Sequence, residues 1–121
     1  MDDRNFTITS RVGTETALMV VSGDIDFETS SLLSSELTKV IERSVVSLVV
    51  LDVNDVDFVS SAGLAMLVSA VQSAERCHKA FTVVTGRQRV IPRALRVAGL
   101  DRVVRTSPTY ADAVTGAAVL D

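Results

Sequence analysis

The fold is decided by the stretch Phe58-Val59-Ser60-Ser61-Ala62-Gly63-Leu64, which lies at the centre of residues 52–74. Residues 48–51, just before this segment, form a continuous aliphatic run, which predicts a strand covered on both faces. The apolar residues after the stretch recur at the spacing of one helix face and are Leu64, Leu67, Val68 and Val71. The stretch is therefore the turn between a buried strand and an amphipathic helix.

The two serines of this turn, Ser60 and Ser61, stand where the helix is expected to begin. Either hydroxyl is suited to be the N-cap, because a short side-chain oxygen can accept from the free amides of the first turn. A helix N-terminus also accommodates a phosphate group, and phosphorylation here would add about two negative charges at an exposed corner. On spacing alone, simple capping is the commoner explanation.

The rest of the chain alternates strand patterns with helix patterns. Strands are predicted at residues 6–12, 16–22, 45–52 and 80–85, with a short strand-like segment at 102–105. Helices are predicted at residues 31–43, from the serine turn to 77, at 89–98, and from 107 onward. This order predicts an α/β fold with a small mixed, mostly parallel sheet, an antiparallel N-terminal edge and about four helices.

The helix ends and faces carry further expectations. Thr29 or Ser30 is expected to cap the first helix, and Gly99 to end the third. The Ser107-Pro108 pair has the pattern of a cap and first residue for the last helix. The apolar stripe of the first helix is Leu32, Leu33, Leu37, Val40 and Ile41. The residues expected to face inward from the last helix are Tyr110, Val114, and Ala117 or Ala118.

Aspartates follow two of the predicted strands. Because α/β proteins place their sites at the carboxyl ends of strands, Asp24, Asp26, Asp52 and Ser61 are expected to be neighbours. A divalent cation bound by Asp52, Asp55 and Asp57 with Asp24 or Asp26 is conceivable. Aspartates that form turns are the commoner explanation.

Length and composition indicate one domain over residues 1–121, since 121 residues with 47% hydrophobic content bury an ordinary aliphatic core. The N-terminus lacks the pattern of a signal peptide and no run approaches about 18 apolar residues, so a soluble cytoplasmic protein is expected. Cys77 is the only cysteine, which excludes an intrachain disulfide. His78 is adjacent to Cys77, but a single cysteine–histidine pair is more often an incidental neighbour pair than a set of metal ligands.

The two halves of the chain differ in charge. Residues 1–60 carry 11 acids and 4 bases, whereas residues 61–121 carry 4 acids and 8 bases. Six arginines lie in residues 87–105, which suggests an anionic partner. Arg89, Arg93 and Arg96, however, have the spacing of an ordinary solvated helix face. The negative total charge and the lack of interleaved aromatics argue against direct nucleic-acid binding.

Intrinsic catalysis is not expected. A serine hydrolase needs a base beside its nucleophile, but His78, the only histidine, is about 25 Å from Ser61 along a continuous helix. A phospho-accepting receiver domain needs a lysine after its last strand, and the two lysines are Lys39 and Lys79. No P-loop or dinucleotide fingerprint is present.

Several motifs together resemble the STAS domain, and specifically the small bacterial anti-sigma factor antagonists. They are Leu51-Asp52, then Val56-Asp57-Phe58-Val59-Ser60-Ser61-Ala62-Gly63-Leu64, with Gly23-Asp24-Ile25-Asp26 upstream and Ala98-Gly99-Leu100 downstream. The resemblance covers about residues 6–116 and implies the STAS fold. Aligned on Gly63-Leu64, the family's phosphorylated serine falls on Ser61. Many members have an aspartate directly before that serine, whereas this chain has Ser60, so Ser60 is an alternative site.

The resemblance implies a regulator of bacterial transcription and stress response that works by switching partners. Unphosphorylated, it would bind an anti-sigma factor of the serine kinase type and release a sigma factor; phosphorylation would end the binding. The implied partner-binding residues are Asp26, Ser60, Ser61, Ala62, Gly63 and Leu64. No cofactor, metal or membrane is implied, since the kinase brings ATP and magnesium. The alternative is a STAS module that senses a nucleotide or other anion at the same helix N-terminus without phosphorylation.

Overall fold

A five-stranded sheet with strand order β1-β2-β3-β4-β5 organises the computed structural model, which describes the backbone of residues 6–120 and side chains through residue 116. The strands are β1 Thr7–Val12, β2 Thr16–Ile25, β3 Leu48–Val59, β4 Ala80–Val84 and β5 Thr106–Ser107. The helices are α1 Phe27–Arg43, α2 Ser61–Arg76, α3 Val90–Val97 and α4 Tyr110–Leu120.

The sheet has the predicted mixture of strand directions. β1 pairs antiparallel with β2, whereas the pairs β2–β3, β3–β4 and β4–β5 are all parallel. Because neighbouring parallel strands follow one another in the chain, right-handed crossovers place α1, α2 and α3 on the same face of the sheet. α4 follows β5 and covers the other face. The predicted α/β class and its antiparallel N-terminal edge are confirmed.

Two apolar cores lie on the two faces of the sheet. The larger core joins α1, α2 and α3 to the inward side chains of β2, β3 and β4, including the fully buried Met19, Leu51 and Val83. The smaller core lies under α4, where Ala113 packs with Val50 and its neighbours. The continuous aliphatic pattern of β3 is therefore explained, since its alternate residues enter different cores.

Two strands run further than the sequence pattern predicts. β2 continues to Ile25 instead of ending near residue 22, and β3 continues to Val59 instead of ending at Asp52. Their parallel pairing passes two register shifts on the way. Consequently Asp52, Asp55 and Asp57 lie on a strand, and their interpretation as turn residues is wrong.

The ends of α1, α3 and α4 also differ in detail from the expectations. Asp26 caps α1, so the expected cap at Thr29 or Ser30 is wrong. Gly99 follows α3 with a φ of 75°, as expected of a residue that ends a helix in the left-handed region. For α4, the Thr109 hydroxyl accepts from the amide of Asp112 at 3.1 Å, which replaces the cap expected at Ser107.

The smallest elements and some helix faces were also misjudged. Residues 102–105 form no strand, because β5 is Thr106–Ser107. Leu32 is 55% exposed and so leaves the buried stripe of α1. Tyr110 and Val114 are exposed, since Ala113 is the residue of α4 that turns inward. The expected inward positions 117 and 118 lie outside the described side chains.

Lys79 ties the C-terminal end of α1 to the turn before β4. Its Nζ donates to the carbonyl oxygens of Ile41 at 2.5 Å and Ser44 at 2.7 Å, where a cation is favoured by the helix dipole. Lys79→Met should lower the free energy of unfolding by about 1 kcal/mol, because two charge-assisted hydrogen bonds are lost. Urea denaturation measures the change.

Lys39 is the matched control for that substitution. It is exposed and, among the described residues, pairs only with Glu36 at 3.2 Å, one helical turn away. Lys39→Met should change the free energy of unfolding by less than about 0.5 kcal/mol. Equal effects of the two lysine substitutions would show that the contacts of Lys79 with α1 do not stabilise the domain.

Candidate functional site

The N-termini of α1 and α2 meet at one corner of the sheet, where β2 and β3 both end. Ile25 pairs in register with Val59 at the last step of the two strands. The amide of Ser60 then donates to the carbonyl oxygen of Ile25 at 2.8 Å. This bond joins the two helix starts, and it brings Asp26 close to the serines as the sequence predicts.

Ser60 is the N-cap of α2, and Ser61 is its first residue. The Ser60 hydroxyl accepts from the amide of Gly63 at 3.1 Å, and its carbonyl oxygen accepts from the amide of Leu64 at 3.0 Å. Ser61 is exposed, and its hydroxyl has no hydrogen-bond partner among the described residues. The two serines therefore differ: one hydroxyl holds the helix and the other faces outward.

Asp26 makes a reciprocal cap with Thr29 at the start of α1. Its Oδ1 accepts from the amide of Thr29 at 2.9 Å, and its own amide donates to the Thr29 hydroxyl at 2.8 Å. Thr29 is buried, and its hydroxyl lies 2.7 Å from the carbonyl oxygen of Asp24, to which it donates. The hydrogen bond from the Thr29 amide lowers the pKa of Asp26 below its ordinary value of 3.8.

The Asp26 carboxylate should stabilise the domain in a pH-dependent way. Because its pKa is lower in the folded chain, the stabilisation is fully present above pH 3.8 and is lost as pH falls through the lowered pKa. Asp26→Ala should reduce the thermal midpoint at pH 7, and the difference from the parent should shrink in more acidic buffer. Calorimetry over a pH series measures this.

Asp24 supplies the control for that experiment. It is exposed and no described hydrogen bond involves its side chain, whereas its backbone carbonyl, which Asp24→Ala retains, accepts from Thr29. Asp24→Ala should leave the thermal midpoint nearly unchanged. An Asp26→Ala difference that persists undiminished in acid would show that the cap does not act through the carboxylate charge.

Gly63 allows α2 to start in close contact with the end of β2. A Cβ at this position would lie 2.7 Å from Val59 Cγ2 and 2.9 Å from Ile25 Cγ2. Gly63 is itself buried and allows the close packing beneath the corner, whereas Ser61 lies on the surface of the corner. The position of Ser61 thus depends on the absence of a side chain two residues later.

A groove of about 630 Å³ runs between α1 and α2 and begins at Ala62, beside Ser61. Its walls include Phe27 and Leu32 from α1 and Met66 from α2. Phe27 is 78% exposed, and Phe58, which precedes the serines, is 49% exposed. Exposed aromatic groups of this kind are typical of protein-binding surfaces. Sequence analysis did not select Phe27, although an aromatic directly after Asp26 was a usable signal.

The charges around the serines are negative. Asp24 pairs in register with Phe58, and Asp24, Glu28 and Asp57 are all exposed. Asp52 was expected here but lies far back on β3, opposite Val20, so that expectation is wrong. Within residues 6–116, no three His, Cys, Asp or Glu side chains come together as a metal site.

The remaining reactive residues lie at the other end of α2. Cys77 is the C-cap of that helix, and His78 follows it in the left-handed region with a φ of 58°. The 16 residues of α2 separate them from Ser61 by about 24 Å. The structure therefore does not bring the histidine to the serines.

None of the helices described here is both long enough and apolar enough to span a membrane.

Comparison with protein families identifies the fold. The model of the STAS domain matches residues 7–113, which is most of the chain and includes the serine corner. The chain belongs to the STAS domain family. The resemblance deduced from the sequence motifs is thereby confirmed.

Relatives of this STAS protein point to the anti-sigma factor antagonists within the family. The anti-sigma-F factor antagonist RsfB of Mycobacterium tuberculosis is 29% identical over 112 residues, covering 93% of this chain and 89% of RsfB. The crystal structure of an anti-sigma factor antagonist from Mycobacterium paratuberculosis superposes with a TM-score of 0.82 at 26% identity, covering 93% and 94% of the two chains. Unphosphorylated SpoIIAA, at 15% identity and a TM-score of 0.73 over 90% of this chain and 92% of its own, shares the fold.

These relatives also bear on catalysis. Anti-sigma factor antagonists are regulators and not enzymes, which agrees with the sequence-based expectation.

Proposed function

We propose that this STAS protein binds an anti-sigma factor of the serine kinase type, thereby releases a sigma factor, and is switched off by phosphorylation of Ser61. The observation that carries the proposal is the Ser61 hydroxyl, which is exposed at the N-terminus of α2 and has no hydrogen-bond partner among the described residues. A kinase can reach such a hydroxyl without unfolding the corner. Ser61 also directly precedes Ala62, which lines the groove between α1 and α2.

The partner surface comprises the serine corner and the adjoining groove. Ser60, Ser61, Ala62 and Leu64 belong to its exposed or half-buried part, and Gly63 supports them from below. Asp26 holds the start of α1 and so fixes the opposite wall of the groove. An apolar side chain of the partner would fill the space between Phe27 and Met66, since burying aromatic and aliphatic surface drives most association.

Phosphorylation would act here mainly by adding charge. A phosphate on Ser61 would bring about two negative charges to a corner already bordered by Asp24, Glu28 and Asp57. The partner would have to desolvate that dianion or accommodate it sterically, and either effect weakens binding. Ser60 is the alternative site, but its hydroxyl is half-buried and engaged as the helix cap.

The alternative of an anion or nucleotide sensor is less well supported by the same charges. The N-terminus of α2 offers free amides, which attract anions. The exposed carboxylates of Asp24, Glu28 and Asp57, however, oppose a nucleotide phosphate at this corner. Titration of the isolated protein with ATP and GTP, followed by NMR, distinguishes the two functions, because only a sensor gives saturable shifts.

The proposal also places the protein in the bacterial cytoplasm, where sigma factors act, and gives it no direct contact with nucleic acid.

The principal test of the proposed switch is incubation of the protein with ATP, magnesium and each anti-sigma kinase of the same organism. Intact mass and site mapping then locate any added phosphate. One phosphate on Ser61, together with loss of binding, is the expected result. Phosphate on Ser60 alone would show that the cap residue Ser60, and not Ser61, is the phosphorylated site. Tight binding to one kinase without any phosphate would refute the switch.

A further inference from the structure

Six exposed arginines on and around α3 form a basic surface on a chain whose net charge is −3; two precede the helix, two lie on it and two follow it. This surface, called the arginine face here, comprises Arg87, Arg89, Arg93, Arg96, Arg102 and Arg105. All six side chains are exposed, and among the described side chains none of them forms an ion pair or donates a side-chain hydrogen bond. Their positive charge is thus uncompensated within the described part of the chain.

Exposed apolar groups lie among these arginines. Val97 is 84% exposed, Val103 is 46% exposed and Val90 is 37% exposed. Val90, Arg93 and Val97 are spaced by three and four residues, so they share one side of α3. Apolar groups and arginine side chains are thus presented together on this side of α3, and arginine is enriched at protein-binding surfaces.

A cleft of about 160 Å³ opens beside the arginine face. Arg96, Asp101 and Thr106 line it, and Pro92 and Leu95 complete its walls. Its volume suits one side chain of a partner and not a nucleotide base with its sugar. The cleft therefore favours a protein segment over a nucleic acid as the occupant, as does the absence of exposed aromatic side chains among these residues.

We propose that the arginine face binds an acidic protein segment that also carries apolar side chains, independently of the Ser61 surface. Carboxylates of the segment would pair with Arg89, Arg93 and Arg96, and an apolar side chain would cover Val97. The Ser61 surface is bordered by carboxylates and the arginine face by guanidinium groups, so an acidic segment is repelled by the first surface and attracted by the second. The protein would then contact two partners, and phosphorylation at Ser61 would control only one.

The test uses the full-length, isotope-labelled protein and two synthetic peptides, one of glutamate and leucine and one of lysine and leucine. The acidic peptide should give saturable NMR shifts confined to residues 87–105, and the basic peptide should not. Binding should weaken when NaCl is raised from about 50 to about 300 mM, since the Debye length shortens. Ser61→Asp should leave this binding unchanged, which separates the result from the proposed switch.

Variants make the test specific to this surface. The triple variant Arg89→Glu, Arg93→Glu and Arg96→Glu should reduce affinity for the acidic peptide at least about tenfold, and Val97→Ser about threefold. Arg11→Glu with Arg76→Glu changes exposed arginines elsewhere and should alter affinity less than about twofold. The proposal would be overturned if the acidic peptide gave shifts spread over all arginines or shifts that do not saturate. Equally tight binding of a DNA duplex would also overturn it.

Discussion

Ser61→Asp should weaken binding to the proposed anti-sigma kinase by about 10- to 100-fold, because it places a permanent negative charge directly before Ala62, which lines the groove. The same substitution should slightly stabilise the isolated domain. Ser61 is the first residue of α2, where a carboxylate is favoured by the helix dipole by about 0.3–1 kcal/mol. Weaker binding with unchanged or higher stability would separate an electrostatic switch from simple unfolding.

Two substitutions at the same position control for size and for the hydroxyl. Ser61→Asn has nearly the volume of Ser61→Asp without its charge, so it should bind within about threefold of the parent. Ser61→Ala should bind normally and resist control by the kinase, because the acceptor oxygen is gone. Isothermal titration calorimetry with the purified kinase measures all three affinities. If Ser61→Asp and Ser61→Asn lose affinity equally, steric fit and not charge controls this surface.

Local chemistry in the sequence predicted the parts of the site that depend on neighbouring residues. The change from an aliphatic run to a helical pattern across Ser60 and Ser61 predicted the strand and the helix correctly, but only Ser60 separates β3 from α2 where a longer turn was expected. The choice between Ser60 and Ser61 as the cap needed the structure, since both residues are serines and have the same capping preference. The same ambiguity caused the wrong cap for α1, where Asp26, Thr29 and Ser30 are all suitable residues.

Features set by pairing across the sheet could not be read from local patterns. Residues 53–59 alternate irregularly and include three polar positions, so they resemble a loop. They remain a strand because β2 pairs with them through two register shifts. Extension of β3 moves Asp52 away from the corner, which explains why the expected cluster with Asp24 and Asp26 does not form.

The sequence also did not predict the contacts between β3 and the loop before α3, which lie beside the first of these register shifts. The Asn54 Oδ1 accepts from the amide of Arg87 at 3.1 Å, and Gln88 Nε2 donates to the carbonyl oxygen of Val53 at 2.9 Å. Gln88 Oε1 then accepts from the amide of Ile91 near the start of α3. These bonds join residues far apart in the chain, and they anchor the helix that carries the arginine face.

Gly63→Ala should lower the free energy of unfolding by about 2–3 kcal/mol, a large effect for adding one methyl group. The new Cβ would lie 2.7 Å from Val59 Cγ2, 2.9 Å from Ile25 Cγ2 and 3.3 Å from the Ile25 carbonyl oxygen. An outward movement of α2 would relieve these close contacts, but it would stretch the 2.8 Å hydrogen bond from the Ser60 amide to the Ile25 carbonyl oxygen. The substitution should therefore weaken partner binding as well as stability, although Gly63 is buried.

Gly116 provides the matched control, because it also lies within a helix but has no atom of the described residues within 4 Å of an added Cβ. Gly116→Ala should be neutral or stabilise by up to about 1 kcal/mol, since alanine favours a helix interior. A double-mutant cycle with Val59→Ala locates the cause: removing the nearest methyl should restore about 1 kcal/mol of the Gly63→Ala loss. Equal effects of the two glycine substitutions, or no coupling with Val59, would contradict the close approach and leave the start of α2 positioned by the hydrogen bonds of Ser60 alone.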